Sequence, residues 1–348
     1  MRPTPADDPG AVGDAGAVGD PGAVLRAVFF GSGCFAVPIL EALVALPGIK
    51  VERVVSAPDR PAGRKAIVTP TPVTARAGEL GLELIQPVRV RAPESVEALR
   101  AIAPDLAILA DYGQLIPQVL LDLPPRGFLN LHPSALPRHR GAAPIPATIL
   151  AGDPESAVTI IVLTQELDAG PIVATEPLEV RADDTAVTLE ERASLVAARL
   201  LTRALPEWLA GRLAARPQPG DGLSMTRPLR RADGLLDPMR TAVELERQVR
   251  AYQPWPASFC ETAEGRLIVW RASVAAAEPG DVPGGLVAAG REGMALATSD
   301  GRLVLEEVQL SGKRRGTAAE LRRGYPGLVH GVPAASDRGV HPGPDLLA

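Results

Sequence analysis

The chain has 348 residues, enough for two domains, and hydrophobic residues make up 46% of it, which supplies material for buried cores. Its formal charge of −5 excludes a general attraction to nucleic acid, so any contact with RNA requires a local basic patch. The two cysteines and four histidines lack disulfide or ligand spacing, and no run of about 20 apolar residues occurs. We therefore expect no disulfide framework, no metal and no membrane span and, without an apolar signal segment, a cytoplasmic protein.

Low-complexity segments are predicted at both ends of the chain. Residues 1–23 contain G-A-V-G-D twice, at 10–14 and 16–20, and residues 329–348 are similarly rich in small residues and proline. Such segments bury too little apolar surface to offset the entropy lost on ordering. We predict a disordered extension over 1–23 and a disordered tail over 329–348.

Strands and helices alternate through the region that we assign as the first domain, residues 24–212. Short apolar runs predict buried strands, and apolar residues at helical spacing predict the helices between them. The predicted strands are 25–30, 51–57, 82–86, 105–110, 127–131 and 158–163, and the predicted helices are 35–46, 72–81, 93–102 and 185–210. Apolar strands of this kind, covered on both faces, favour a Rossmann-like α/β domain with a parallel sheet.

The pattern changes after a linker predicted at 213–225, where prolines and glycines interrupt regular structure. One helix, 241–251, is followed by strand-like segments at 258–262, 267–273, 285–288, 294–298 and 303–309. Short strands separated by turns favour a small OB-like β-barrel domain, which we assign to residues 226–328. Oligonucleotide binding is a frequent use of that architecture, but the architecture alone does not establish it.

A glycine turn follows the first predicted strand. Gly31-Ser32-Gly33, with Ala36 three residues later, fits the dinucleotide fingerprint G-x-G-x-x-A, and Asp59 lies beyond the second strand, where a ribose-binding acid is expected. These residues support one alternative function, that of a nicotinamide-dependent oxidoreductase. They are also compatible with a tight strand-to-helix turn, because Asp59 opens a long loop rather than ending a strand.

That loop, residues 57–73, is rich in proline and glycine and carries Arg60, Arg64 and Lys65. A basic flexible loop beside an active site can bind phosphates and become ordered on binding. The alternative is a solvated insertion whose arginines reflect the overall composition of the chain.

A second turn, Asp111-Tyr112-Gly113-Gln114, directly follows the apolar strand 105–110. Ligands in open α/β sheets bind beyond the carboxyl ends of the strands, and the backbone of such a turn can read a flat heterocycle. An ordinary strand-to-helix turn is the alternative.

Asn130 and His132 are two residues apart on a predicted strand, so their side chains point to the same face. An amide donor beside an imidazole suits the polarisation of a carbonyl and the stabilisation of its oxyanion. Asp168 follows the next predicted strand by one short loop, and a carboxylate there can orient a histidine and increase its basicity. Polar residues at a strand end and a turn-capping aspartate are the alternatives for these positions.

Together these stretches resemble the 10-formyltetrahydrofolate-dependent formyltransferases. The residues N-L-H-P-S-A-L-P-R-H-R-G-A-A-P-I at 130–145 and L-D-A-G at 167–170 resemble the signature that the family shares. P-D-R-P-A-G-R at 58–64, A-D-Y-G-Q-L-I-P at 110–117 and R-A-Y-Q-P-W-P at 250–256 resemble the branch that formylates the methionine carried by initiator tRNA. The resemblance covers residues 25–325.

The resemblance implies a catalytic trio of Asn130, His132 and Asp168. Asn130 would donate a hydrogen bond to the tetrahedral oxyanion, and His132 would also stabilise it. Asp168 would orient His132 and help to move the proton of the attacking amine.

The resemblance also implies the substrates and the residues that bind them. The formyl donor is 10-formyltetrahydrofolate, the acceptor is initiator methionyl-tRNA, and no metal takes part. The implied donor-binding residues are Asp111, Tyr112, Gly113, Gln114, Ser134, Leu136 and Pro137. The implied tRNA-binding residues are Arg60, Arg64 and Lys65. We expect a monomer, and a formyltransferase acting on another amine, such as an amino sugar, is the alternative within the family.

Overall fold

Two large sheets and their covering helices make up the part of the chain that the computed structural model describes, residues 24–62 and 67–329. The strands there are β1 (Leu25–Gly31), β2 (Ile49–Val55), β3 (Arg60–Ala62), β4 (Ile67–Thr69), β5 (Leu84–Ile85), β6 (Leu106–Ala110), β7 (Phe128–His132), β8 (Arg140–Gly141), β9 (Glu155–Val162), β10 (Ile172–Glu179), β11 (Met225–Thr226), β12 (Ser258–Thr262), β13 (Gly265–Ala275), β14 (Leu286–Ala289), β15 (Gly293–Ala297), β16 (Arg302–Leu310) and β17 (Gly316–Thr317). The helices are α1 (Ala36–Ala45), α2 (Pro72–Glu79), α3 (Pro93–Ile102), α4 (Gln118–Leu121), α5 (Pro144–Ala151), α6 (Ala186–Leu209), α7 (Ala242–Ala251) and α8 (Ala318–Gly324). Each strand and helix predicted above is present, with its ends shifted by a few residues.

The first sheet has seven strands in the order β10-β9-β7-β6-β1-β2-β5. The five strands from β7 to β5 are mutually parallel, which confirms the Rossmann-like α/β class. The prediction that residues 158–163 form a parallel strand is wrong, because β9 is antiparallel to both β7 and β10. An apolar run indicates that both faces of a strand are buried. Parallel and antiparallel strands can both be buried in this way, so the run does not give the strand direction. Strand β10 was not predicted, since polar residues and Pro177 interrupt it at the sheet edge.

The carboxyl ends of β1, β6 and β7 lie next to one another in this sheet. They lead into the glycine turn at 31–33, the turn at 111–114 and the loop after His132. Ligands of open α/β sheets bind at such an edge. The topology therefore places three of the sequence motifs at one end of the first domain.

Helix α6 is the longest helix that covers this sheet. It begins at a capping box in which the Thr185 hydroxyl accepts from the Thr188 backbone N–H, and the Thr188 hydroxyl accepts from the Thr185 N–H. Its buried residues recur every three or four positions and include Leu189, Ala193 and Leu200. This apolar stripe packs against α1 and the antiparallel strands β9 and β10. The packing holds the two strands that flank the loop at residues 163–171.

The second sheet is antiparallel and curled, with strands in the order β12-β13-β16-β15-β14 and β17 paired with β16. This arrangement confirms the OB-like class predicted for the C-terminal domain. Its core includes Leu267, Met294 and Leu305. Val329, the first residue of the predicted C-terminal tail, is buried in that core, whereas residues 330–348 and the predicted N-terminal extension lie outside the described residues.

The predicted linker runs along the first domain with backbone pairing of its own. Arg216 pairs with Ile172 at the start of β10. Further on, β11 pairs in parallel with β8, which lies in the loop after β7. The segment that joins the two domains is therefore hydrogen-bonded to the first domain along part of its length.

Among the described residues, no helix combines the length and the apolar character that crossing a membrane requires.

Candidate active site

Asn130 and His132 lie side by side on β7. Both side chains are buried, with 4% and 5% of their surface exposed. Strand β7 is hydrogen-bonded to β6 on one side and to β9 on the other, so its register is held from both edges. The spacing of two residues thus presents an amide and an imidazole to one space, as the sequence predicts.

Asp168 reaches these two side chains from the loop between β9 and β10. Its Oδ1 accepts a hydrogen bond from Asn130 Nδ2 at 3.2 Å, and its Oδ2 accepts one from the Gly141 backbone N–H at 2.8 Å. The same Oδ2 lies 3.6 Å from His132 Nδ1. The structure therefore brings together all three side chains of the predicted trio, from positions as far apart as 130 and 168.

The tautomer of His132 follows from its other nitrogen. His132 Nε2 lies 3.0 Å from the backbone carbonyl oxygen of His139. A carbonyl only accepts hydrogen bonds, so Nε2 carries a proton and Nδ1 is the nitrogen that faces Asp168. Without a proton on Nδ1, this nitrogen and the Asp168 carboxylate face each other as two hydrogen-bond acceptors. A proton placed between them makes the contact favourable.

His139 supports this arrangement through its backbone carbonyl, which accepts from His132. It was not identified as a site residue from the sequence. Its backbone has a φ of 59°, and its ring is 2% exposed. Its Nε2 lies 2.9 Å from Asp153 Oδ2, and its backbone N–H donates to Ser224 Oγ at 2.8 Å. These contacts hold the carbonyl that orients His132. The available sequence signal was a second histidine in the stretch 130–145.

We expect His139 to make the protein less stable in acid. Burial lowers the pKa of His139 below its ordinary value of 6.5, and the contact with Asp153 opposes this only in part. The unfolded chain then binds a proton that the folded chain excludes, so stability is lost as the pH falls below about 6.5. Urea unfolding at pH 7.5 and pH 5 measures this loss. It should be smaller in His139→Asn, because asparagine tolerates a positive φ but does not titrate. An equal loss in both proteins would contradict the expectation.

The turn predicted to bind the donor presents its backbone and one carboxyl group. Asp111 and Gly113 have positive φ values of 48° and 78°. The side chain of Tyr112 is buried against Phe30, with ring centroids 5.5 Å apart, and is not available to a ligand. Gln114 accepts from the Val90 backbone N–H with its amide oxygen, which ties the turn to the preceding loop. What remains for a ligand is the backbone of the turn and Asp111.

The other three residues predicted to bind the donor lie in the loop after β7. Ser134 is buried and donates from Oγ to the Arg138 carbonyl at 2.6 Å. Its own carbonyl accepts from Thr159 at 2.7 Å. Leu136 is 7% exposed, and Pro137 follows it. One hydrogen bond within the loop and one from Thr159 of β9 thus hold the loop beside the trio.

The glycine turn at 31–33 does not offer the space that a dinucleotide needs. A Cβ atom placed on Gly33 would lie 1.7 Å from Asp111 Oδ2, so a carboxyl group occupies the approach that a pyrophosphate uses in that motif. Glu190 accepts from the Phe35 N–H at the start of α1, which is the other phosphate position. The turn therefore does not support the nicotinamide alternative.

The basic loop contains a short hairpin rather than only irregular chain. Strands β3 and β4 pair antiparallel, and Arg60 is exposed on the first of them. Ile67 and Val68 on the second are also exposed, at 62% and 63%. Arg64 and Lys65 lie outside the described residues. No hydrogen bond or ion pair joins the described part of the hairpin to the trio, and the role of the basic loop remains a prediction.

Within residues 24–62 and 67–329, no group of three or more His, Cys, Asp or Glu side chains is arranged to hold a metal ion.

Comparison with known proteins gives a consistent family. The profile described as "Formyl transferase" matches residues 25–205, and that described as "Formyl transferase, C-terminal domain" matches residues 228–326. A methionyl-tRNA formyltransferase of Halorhodospira halophila is 42% identical over 308 residues, which cover 88% of this chain and 98% of that protein. A methionyl-tRNA formyltransferase of Thermus thermophilus is 43% identical over 305 residues, which cover 86% of this chain and 96% of that protein.

Solved structures agree at the level of the fold. An N-formyltransferase from Helicobacter canadensis, determined with folinic acid and dTDP-3-aminofucose, superposes with a TM-score of 0.60 at 15% identity, over 82% of this chain and all of that one. HypX from Aquifex aeolicus superposes with a TM-score of 0.58 at 17% identity, over 92% of this chain and 52% of that one. Given the two domain matches and relatives of this identity along nearly their whole length, the chain belongs to the methionyl-tRNA formyltransferase family.

Proposed function

We propose that this protein transfers the formyl group of 10-formyltetrahydrofolate to the free amino group of methionine on initiator methionyl-tRNA. The observation that carries the proposal is the buried cluster in which Asp168 accepts from Asn130 and faces His132 Nδ1. The relatives named methionyl-tRNA formyltransferase support the identity of the acceptor. The family supports a folate-derived formyl donor.

The proposed reaction uses the trio as an oxyanion and proton site. The amine nitrogen attacks the formyl carbon, a carbon–nitrogen bond forms, and the carbonyl electrons move onto oxygen. One N–H of Asn130 is bonded to Asp168, and its second N–H, which has no partner among residues 24–62 and 67–329, can donate to that oxyanion. His132 Nδ1, backed by Asp168, takes the proton that the amine loses. Collapse of the intermediate breaks the bond between the formyl carbon and N10 of the folate, and N10 takes up the proton that His132 received, so atoms and charge balance.

We further propose that the two domains have different roles. Residues 24–212 would catalyse formyl transfer, residues 213–225 would link the domains, and residues 226–328 would contribute to tRNA binding. The donor would lie against the backbone of residues 111–114 and the loop at 134–137. The protein would act as a monomer in the cytoplasm, the compartment in which initiator tRNA is used.

A direct assay tests the function. The purified protein is incubated with 10-formyltetrahydrofolate and initiator tRNA charged with methionine, and the product is hydrolysed and analysed for formylmethionine. Uncharged tRNA and dTDP-linked amino sugars serve as the other arms. Formylation of the sugar alone, or of nothing, would overturn the proposed acceptor.

The basic loop at residues 57–73 is expected to contribute phosphate contacts. Charge reversal in Arg64→Glu should raise the KM for methionyl-tRNA about tenfold at low salt and reduce the salt dependence of binding by roughly one phosphate contact. The value of kcat at saturating tRNA should be unchanged, because the described residues of the loop make no hydrogen bond or ion pair to the trio. Arg199→Glu, a reversal at an exposed position of α6, is the matched control. The same KM in both variants would count against a role of the basic loop in tRNA binding.

A further inference from the structure

One side chain of the linker, Gln218, contacts both loops that form the candidate site. Its Nε2 donates to the backbone carbonyl oxygens of Asp168 at 2.7 Å and Gly170 at 2.8 Å. Its Oε1 accepts from Arg140 Nε at 3.0 Å and from Arg140 Nη2 at 2.7 Å. An amide has two N–H donors and two acceptor lone pairs, and all four are used here.

The orientation of this amide is set by its partners. Carbonyl oxygens only accept hydrogen bonds, and a guanidinium only donates them, so the nitrogen must face the loop of Asp168 and the oxygen must face Arg140. No other polar side chain of this size satisfies both sides. A glutamate would keep the contact with Arg140 but would place an acceptor oxygen against two carbonyls.

The loop that Gln218 contacts combines an uncommon backbone conformation with a close approach to β9. Asp168 has a φ of 50°, a left-handed conformation that a residue with a side chain rarely adopts. A Cβ atom on Gly170 would lie 1.7 Å from the Val162 carbonyl oxygen, so the loop is packed directly on β9. The two hydrogen bonds from Gln218 span the turn and hold the backbone from which the Asp168 carboxylate projects toward Asn130 and Gly141.

The amide oxygen of Gln218 is connected to the Asp168 carboxylate indirectly, through Arg140 and Gly141. Arg140 directly precedes Gly141, whose backbone N–H donates to Asp168 Oδ2. Thr226, later in the same segment, donates to the Arg140 carbonyl and accepts from the Ala143 N–H. Residues 218–226 therefore hold both the aspartate and its backbone donor, and they connect this pair to the chain that leads into the second domain.

We propose that Gln218 is a positioning residue for formyl transfer, one that acts by holding the Asp168 loop against the strand that carries Gly141. The inference rests on the proposed function, since Asp168 is its point of action. Gln218 makes its hydrogen bonds within the described part of the chain to two backbone carbonyls and to Arg140, and none goes to a side chain of the trio. Its effect is confined to the placement of the Asp168 carboxylate relative to Asn130 and His132.

Two substitutions of similar size test this role. Gln218→Met removes all four hydrogen bonds, and Gln218→Glu keeps only those to Arg140. Both should lower kcat about 10–100-fold, the loss expected for a shift of about 1 Å in a catalytic group, with KM for donor and tRNA changed less than about twofold. Gln118→Met, at an exposed position of α4, is the matched control and should retain the wild-type kcat.

The outcomes separate positioning from general support of the fold. If Gln218→Glu has a near wild-type kcat while Gln218→Met is impaired, only the contact with Arg140 matters, and the proposal is overturned. Wild-type kcat in both variants would also overturn it. Thermal melting shows whether each variant folds. If Gln218→Met does not fold, Gln218→Glu still tests the proposal, because it retains the Arg140 contact and loses only the bonds to the Asp168 loop.

A double-mutant cycle with Asp168→Ala locates the effect. If Gln218 acts through Asp168, Gln218→Met should change the residual single-turnover rate of Asp168→Ala less than about twofold. A full additional loss would overturn the proposed route. A wild-type protein that formylates no methionyl-tRNA would instead refute the proposed function, which this experiment distinguishes from a failure confined to Gln218.

Discussion

Replacing Asp168 with alanine is expected to lower the single-turnover rate of formyl transfer about 10²–10⁴-fold, the usual range for a group that manages proton transfer. The carboxylate accepts from Asn130 and Gly141 and lies 3.6 Å from His132 Nδ1, so its loss removes the partner of the basic nitrogen and an acceptor for the amide. Rapid-quench formylation with saturating donor and charged tRNA measures the effect.

Asp168→Asn is the sharper form of this test. Asparagine has nearly the same shape and tolerates the left-handed backbone at this position. Both carboxylate oxygens now act as acceptors, and an amide supplies only one, so the contact with Asn130 or with Gly141 becomes donor against donor. We expect this variant to fold and to lose nearly as much rate as the alanine variant. Asp122→Asn, at an exposed carboxylate after α4, is the control. A rate within threefold of wild type in Asp168→Asn would refute the proton role.

Asn130→Ala is expected to reduce the rate about 10²–10³-fold, as found when one donor to an oxyanion is removed. The KM for methionyl-tRNA should change little, because the amide is expected to act on the charge that develops in the transition state. Asn130→Asp, which is nearly isosteric, should be at least as slow, since it replaces the donor with an acceptor and places a second carboxylate beside Asp168. Steady-state and single-turnover kinetics together separate these effects.

The control for Asn130 must come from another residue type, because Asn130 is the only asparagine in the chain. Gln118→Ala removes an exposed amide whose bond is to Asp122, and it should leave both kinetic constants unchanged. Thermal melting should show that Asn130→Ala remains folded, since one polar side chain is exchanged for a smaller apolar one. A folded Asn130→Ala protein that retains a tenth of the wild-type rate or more would exclude the oxyanion role.

The parallel core of the first sheet was predictable from the sequence because its evidence is local. Apolar runs such as residues 106–110 and the helical periodicity of 186–209 are set by neighbours within a few positions. Strand direction is a different matter. The antiparallel course of β9 depends on the path of residues 133–154, and no periodicity within the strand records that path.

The candidate site divides in the same way. The spacing of Asn130 and His132 on one strand was by itself sufficient to place them side by side, and the shared signature pointed to Asp168. Only the tertiary structure decided that the carboxylate lies against both side chains, and that the carbonyl of His139 selects the tautomer of His132. It also decided that Tyr112 packs in the core and leaves only its backbone for a ligand.

The sequence thus determined the elements, the fold class and the family signature, because each rests on residue types at short, regular spacing. The tertiary structure alone decided the antiparallel edge of the sheet, the hydrogen bonds around Asp168 and the reach of Gln218 into the site. The physical reason is that these contacts join positions far apart in the chain and often end on backbone atoms. Every residue carries the same backbone carbonyl, so the residue type gives no sign of which one will be used.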